Sequence, residues 1–79
     1  MSVNHIFRHY KGKHYKVLHI GLHTETKESM VVYEQLYTNQ YPKHTVWIRP
    51  YDMFFDHVVM NDHKVLRFVL CPTVNDNIN

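Results

Sequence analysis

The residues best equipped for chemistry in this chain are an aromatic and arginine set: Tyr10, Tyr33, Tyr37, Trp47 and Arg49. Tyr and Trp faces stack on a planar base or box in a cation, and an arginine fork grips a phosphate or carboxylate bidentately. Arg beside Trp marks binding surfaces more often than cores. The structural alternative is that Trp47 forms the centre of a small aromatic core while Arg49 pairs internally with Glu25 or Glu34.

A second candidate is the turn His23-Thr24-Glu25-Thr26. A carboxylate beside a histidine fixes its tautomer and raises its basicity, so His23 and Glu25 could form an oriented base. No nucleophile or oxyanion hole is visible beside them, and Thr and Glu side chains also satisfy backbone donors in ordinary hairpin turns. No catalytic residue is therefore assigned; His23 and Glu25 are the weak candidates.

Arg8, His9, Lys11, Lys13, His14 and Lys16 form a basic N-terminal patch interleaved with Tyr10 and Tyr15. Such a patch suits a nucleic-acid backbone, but on an outer strand it more often keeps an edge soluble and unpaired. Metal is not expected. His5 and His9, like His19 and His23, are four apart, which unites ligands on a helix but separates them by about 13 Å on a strand. Cys71 is the only cysteine, which excludes a disulfide and a Cys-based zinc knuckle and points to a reducing compartment. A half-buried structural thiol is its default role.

These residues must be positioned by one small domain, since 79 residues leave room for a single thin core. The formal charge of +2, with eight histidines counted neutral, is too weak to announce nucleic acid by itself. The amino-terminal MSVNHIFRHYKGKHYK lacks the apolar core of a signal peptide, and no apolar run approaches the roughly 20 residues that span a bilayer. A cytoplasmic protein with no membrane contact is expected. Mild acid would charge several histidines at once.

The periodicity is mostly that of strands. Ile6–Tyr10 closes in a turn at Lys11-Gly12-Lys13, and Tyr15–Leu22 carries apolar residues on both faces, with Gly21 the expected bulge or bend. A polar turn over 23–29 leads to Met30–Tyr37, which alternates Val31, Tyr33, Gln35, Tyr37 against Met30, Val32, Glu34, Leu36. After a loop over Thr38–Thr45, the short strand Val46–Arg49 stops at Pro50. Pro50–Asp56 reads as one helical turn, whose Met53 and Phe54 would plug the end of the fold. Val58–Met60 and Val65–Leu70 would pair across Asn61-Asp62-His63. The expected architecture is a mostly β, SH3-like curved barrel of five or six short strands spanning 1–71, with a polar tail over 72–79. An open sheet packed on a single helix is the competing form.

Several pieces also occur in a familiar order: RHYKG at 8–12, Tyr15, Val17-Leu18, HTET at 23–26, VVY at 31–33, LY at 36–37, WIRP at 47–50 and Met53-Phe54. From about Phe7 to Phe68 the chain resembles the bacterial domain-of-unknown-function family numbered 1653. The resemblance implies a small bacterial protein, mostly stand-alone, with no established activity to carry over. The TNQYPKHT segment (38–45) is longer than the family pattern.

The expectation drawn from these residues is a non-catalytic binding module without a cofactor. Its surface would combine Tyr33, Tyr37, Trp47 and Arg49 with His23 and Glu25 of the HTET turn. The ligand would be small and planar or anionic, such as a nucleotide or exposed base, and the protein a monomer or weak homo-oligomer. The alternatives are a small hydrolase or transferase using His23 and Glu25, and a protein-interaction module meeting its partner through a strand edge or the Met53-Phe54-Phe55 cluster.

Overall fold

A computed structural model describes residues 3–71; the tail expected over 72–79 lies outside them. Seven strands and one helical turn follow in the order β1 (Ile6–His9), β2 (His14–Leu22), β3 (Ser29–Gln35), β4 (Val46–Pro50), α1 (Tyr51–Phe54), β5 (His57–Met60), β6 (His63–Leu66) and β7 (Phe68–Leu70). The fold is mostly β, as expected. It consists of a five-stranded antiparallel sheet ordered β4-β3-β2-β1-β7 and a two-stranded sheet of β5 and β6. The expected barrel closure is not shown: β4 and β7 are the two edges of the larger sheet, with no ladder joining them among the described residues.

Local chemistry explains the turns. Gly12 sits at φ +106°, a region glycine enters without Cβ strain, and its amide donates to the His9 carbonyl at 2.7 Å. Asn61 and Asp62, at φ +51° and +64°, supply the two positive φ values that a two-residue type I′ hairpin turn requires. The loop is therefore Asn61-Asp62, and His63 already belongs to β6.

The bulge lies elsewhere than Gly21, which pairs regularly with Met30. The register of β2 slips between Val17, opposite Tyr33, and His19, opposite Val32. One extra residue, Leu18, changes the phase of the pleat. Without it, Tyr15, Val17 and His19 would share the inner face. With it, the inner set becomes Tyr15, Val17 and Ile20, which pack in or against the core, and His19 turns out to solvent. This is why YKVLHIGL carries apolar residues in both phases.

The core comprises Phe7, Val17, Val31, Tyr33, Phe54 and Phe68. Phe54 is its plug: the single turn of α1 lays its ring parallel to Phe68 at 4.0 Å between centroids and edge-on to Phe7 and Tyr33. Met53, expected to join it, is instead 52 % exposed, because a four-residue turn offers only one inward direction. The Met53-Phe54-Phe55 run is thus not a surface cluster; Phe54 is buried and Phe55 packs beside it.

The run Val65–Leu70, expected as one strand, changes sheets at Arg67. The Arg67 amide donates to the Asp56 carbonyl at 3.0 Å, its carbonyl accepts from the Tyr10 amide at 2.8 Å, and its guanidinium forms a two-bond fork with the Asp56 carboxylate at 2.7 and 3.1 Å. The chain leaves β6 there and enters β7, where Phe68, Val69 and Leu70 pair with His9, Arg8 and Phe7.

Candidate functional site

Alternation on adjacent strands brings one row of side chains together. On the inner face, Tyr15 of β2 stands opposite Gln35 of β3, Tyr33 opposite Trp47, and Val31 opposite Arg49. Continued past the end of β3, the chain adds Tyr37 and then the loop residues Asn39 and Tyr41. These side chains enclose a cavity of about 220 Å³ lined by Tyr15, Tyr33, Gln35, Tyr37, Asn39, Tyr41, Trp47 and Arg49. Tyr33, Tyr37, Trp47 and Arg49, singled out from sequence, therefore share one cavity. Tyr10 lies apart from it.

Gln35 holds the cavity in shape. It is the buried polar residue among the described residues, 1 % exposed. Its Oε1 accepts from Trp47 Nε1–H at 2.9 Å, and the two N–H groups of its Nε2 are shared among three acceptors, the carbonyls of Tyr37 and Tyr41 at 2.8 and 3.0 Å and Asn39 Oδ1 at 3.2 Å. Because the indole can only donate, the amide is oriented with its oxygen toward Trp47. One side chain thus fixes the Trp47 ring and pins the loop that carries Tyr41, whose ring meets Trp47 edge-on at 5.0 Å.

The charge at the cavity is positive and unpaired among the described residues. Arg49 forms no ion pair among the described residues, neither with Glu25 nor with Glu34. Its guanidinium donates to the Met53 carbonyl at 3.3 Å and lies 6.0 Å from the Phe68 ring centre, leaving further donors of the fork available. Lys13 Nζ sits 5.2 Å from the Tyr37 ring centre, so one member of the basic patch reaches the cavity rim. Tyr15 and Tyr37 join through their hydroxyls. Burial, and then this hydrogen bond, push the Tyr15 hydroxyl well above the ordinary tyrosine value, so it stays a neutral phenol.

His23 and Glu25 lie on the β2–β3 turn and line neither this cavity nor the second one described below. His23 Nδ1 accepts the backbone N–H groups of Glu25 and Thr26 at 3.2 and 3.3 Å, and Glu25 Oε1 accepts from the Thr24 hydroxyl at 2.7 Å. The Lys27 ammonium caps the Thr24 carbonyl at 2.7 Å. The ring nitrogen that would serve as a base is occupied in closing the turn, and both side chains are exposed.

Elsewhere, Tyr10 and Arg8 border a second cavity of about 300 Å³ with Met60, Val65, Leu66 and Val69. Arg8, Lys11, Lys13 and His14 are exposed around the β1–β2 turn. Burial first, and then the charges of Arg49, Arg67 and Lys11, hold the His9 imidazole below its ordinary value. Among the described residues no group of three or more His, Cys, Asp or Glu is placed to hold a metal ion, and no helix is long and apolar enough to cross a membrane. Cys71 is a half-buried free thiol whose amide donates to the Ile6 carbonyl.

Sequence reasoning did not assign Tyr15, Gln35, Asn39 and Tyr41 to the site, and it read Lys13 as part of a separate patch. Gln35 carried a signal: a polar residue in the inward phase of an apolar alternation needs a buried partner. Asn39 and Tyr41 carried none, because their position depends on hydrogen bonds from Gln35.

A family model described as a protein of unknown function, DUF1653, matches residues 5–70. The crystal structure of a protein of that family from Bordetella bronchiseptica is similar to this chain, with 30% sequence identity and a TM-score of 0.77. The likeness covers 90% of this chain and 88% of that one. No curated protein matches.

Proposed function

The chain belongs to the DUF1653 family of proteins of unknown function, and we propose that it is a non-catalytic binding module for a small planar, anionic ligand, a nucleotide or an exposed base. The observation that carries this reading is the convergence of Tyr33, Tyr37, Trp47 and Arg49 on one cavity. Its volume of about 220 Å³ lies below the roughly 300–1,000 Å³ of pockets for drug-sized ligands. That suits a single ring system with its phosphates outside. The aromatic walls would stack on the ring, the Gln35-pinned Asn39 would offer its amide to a ring edge, and Arg49 and Lys13 would meet the negative charge. In this reading the protein acts in the cytoplasm as a monomer or weak homo-oligomer, and the HTET turn is structural.

The test is a thermal-shift screen against mononucleotides and short RNA and DNA. A ligand at 100 times its dissociation constant adds about 2.7 kcal/mol, which raises the midpoint of a domain this size by roughly 10–20 °C. Arg49→Gln should abolish the shift, and Trp47→Phe should shrink it. The reading fails if no member of the panel moves the midpoint. It also fails if Arg49→Ala and Trp47→Ala both unfold the protein, since those residues would then be structural.

A further inference from the structure

We infer that the cleft between the β5–β6 hairpin and the β1–β7 end of the larger sheet is a second binding site, for a small aliphatic carboxylate. Its volume of about 300 Å³ falls at the lower bound for ligand pockets. Its walls divide by chemistry. Met60, Val65 and Leu66 of the hairpin face Val69 of β7, while Arg8 and Tyr10 supply the polar side. Arg8 and Val69 are register partners across β1 and β7, so the guanidinium and the apolar wall rise from one face. Met60, Leu66 and Val69 remain 43, 40 and 38 % exposed, a costly arrangement for a chain with so small a core.

The charges around the cleft agree with its apolar walls in pointing to such a ligand. Among the described residues no carboxylate lines the cleft and Arg8 forms no ion pair. The neighbouring Arg67, by contrast, is already satisfied by its fork with Asp56. One open guanidinium at an apolar cleft matches a planar carboxylate on a short alkyl chain: two parallel N–H···O bonds at the head, and methylenes laid between Val69 and the hairpin. A two-stranded hairpin is marginal by itself. A chain filling the cleft would clamp it to the larger sheet.

The site is independent of the Trp47 cavity, and its test separates the two. The full chain, labelled with ¹⁵N, is titrated with hexanoate, hexan-1-ol and acetate. Hexanoate should give saturable shifts centred on Arg8, Tyr10, Val65, Leu66 and Val69, with the Trp47 indole signal unmoved. The alcohol and acetate should bind at least tenfold more weakly. Arg8→Gln, an exposed position, should weaken hexanoate at least tenfold and leave hexan-1-ol unchanged, with Arg8→Lys in between. Hexan-1-ol binding as tightly as hexanoate, an indifferent Arg8→Gln, or no saturable shifts would overturn the inference. So would shifts of these residues that grow with protein concentration alone, because a second copy would then fill the cleft.

Discussion

Replacing Gln35 with leucine keeps the volume of a fully buried side chain and deletes its polar atoms. The Trp47 Nε1–H and the carbonyls of Tyr37 and Tyr41 lose a partner at once. A buried polar group left unpaired costs about 1–3 kcal/mol. Tyr41 is exposed and its carbonyl can turn to water, while Trp47 and Tyr37 are half-buried. The expected loss is therefore about 2–4 kcal/mol, from roughly one full orphan and a fraction of two others. Against a total of about 4–12 kcal/mol for a domain of this length, that is a large share. It corresponds to a midpoint lowered by roughly 10–25 °C. Urea unfolding followed by circular dichroism measures it. The paired measurement is the same substitution in a Trp47→Phe background, where the indole donor is already gone and Gln35→Leu should cost about 1 kcal/mol less. A Gln35→Leu loss below about 1 kcal/mol, or equal losses in both backgrounds, would refute the view that Gln35 organises the cavity.

Three further outcomes are expected. The hydrogen bonds and charge of Arg67 hold the Asp56 carboxyl below the ordinary aspartate value, so its stabilisation is present above about pH 3.9 and lost as pH falls through the lower folded value. Asp56→Asn should flatten that acid limb of the stability profile, measured by urea unfolding from pH 2 to 6. His9 runs by the same linkage from a different cause: burial, and then the charges of Arg49, Arg67 and Lys11, lower its folded value, so just below pH 6.5 the unfolded chain binds its proton more readily than the folded one. Stability should therefore fall as pH drops below about 6.5, and His9→Asn should remove that slope. Phe54→Ala opens the centre of the core and should cost about 3–5 kcal/mol, enough to leave much of the population unfolded by circular dichroism at 37 °C.

How much of this was legible depends on the reach of each interaction. The alternation of Val31, Tyr33 and Gln35 against Met30, Val32 and Glu34 is local to one strand and was legible, although which face turns inward was not; the turn at Gly12 was legible too, where residue type and positive φ agree. The bulge at Leu18 is local too, but its sign is subtle: His19 occupies the phase the apolar pattern would have turned inward. The break at Arg67 was hidden, because VLRFVL reads as one strand until Asp56, eleven residues earlier, captures the guanidinium. Barrel closure was an inference from strand count, and strand count does not say which edges meet. In the site, Tyr33, Trp47 and Arg49 could be grouped because their strands pair in sequence order. Tyr15 needed the β2–β3 register, and Asn39 and Tyr41 needed the loop that Gln35 folds. His23 and Glu25 were only weak catalytic candidates by residue type; the distances add that His23 accepts backbone donors within its own turn.

The central claim is that Trp47 and Arg49 face a ligand rather than only the core. Trp47 is the single tryptophan, so its indole N–H gives one resonance that reports on the cavity wall. Titrating the ¹⁵N-labelled protein with adenosine and guanosine monophosphates, against the corresponding nucleosides, tests the claim most directly. The account predicts a saturable shift of that resonance with a nucleotide, weakened about tenfold or more when the phosphate is removed or Arg49 is replaced by glutamine. An indole resonance that stays fixed at millimolar nucleotide, in a protein that remains folded, would contradict it.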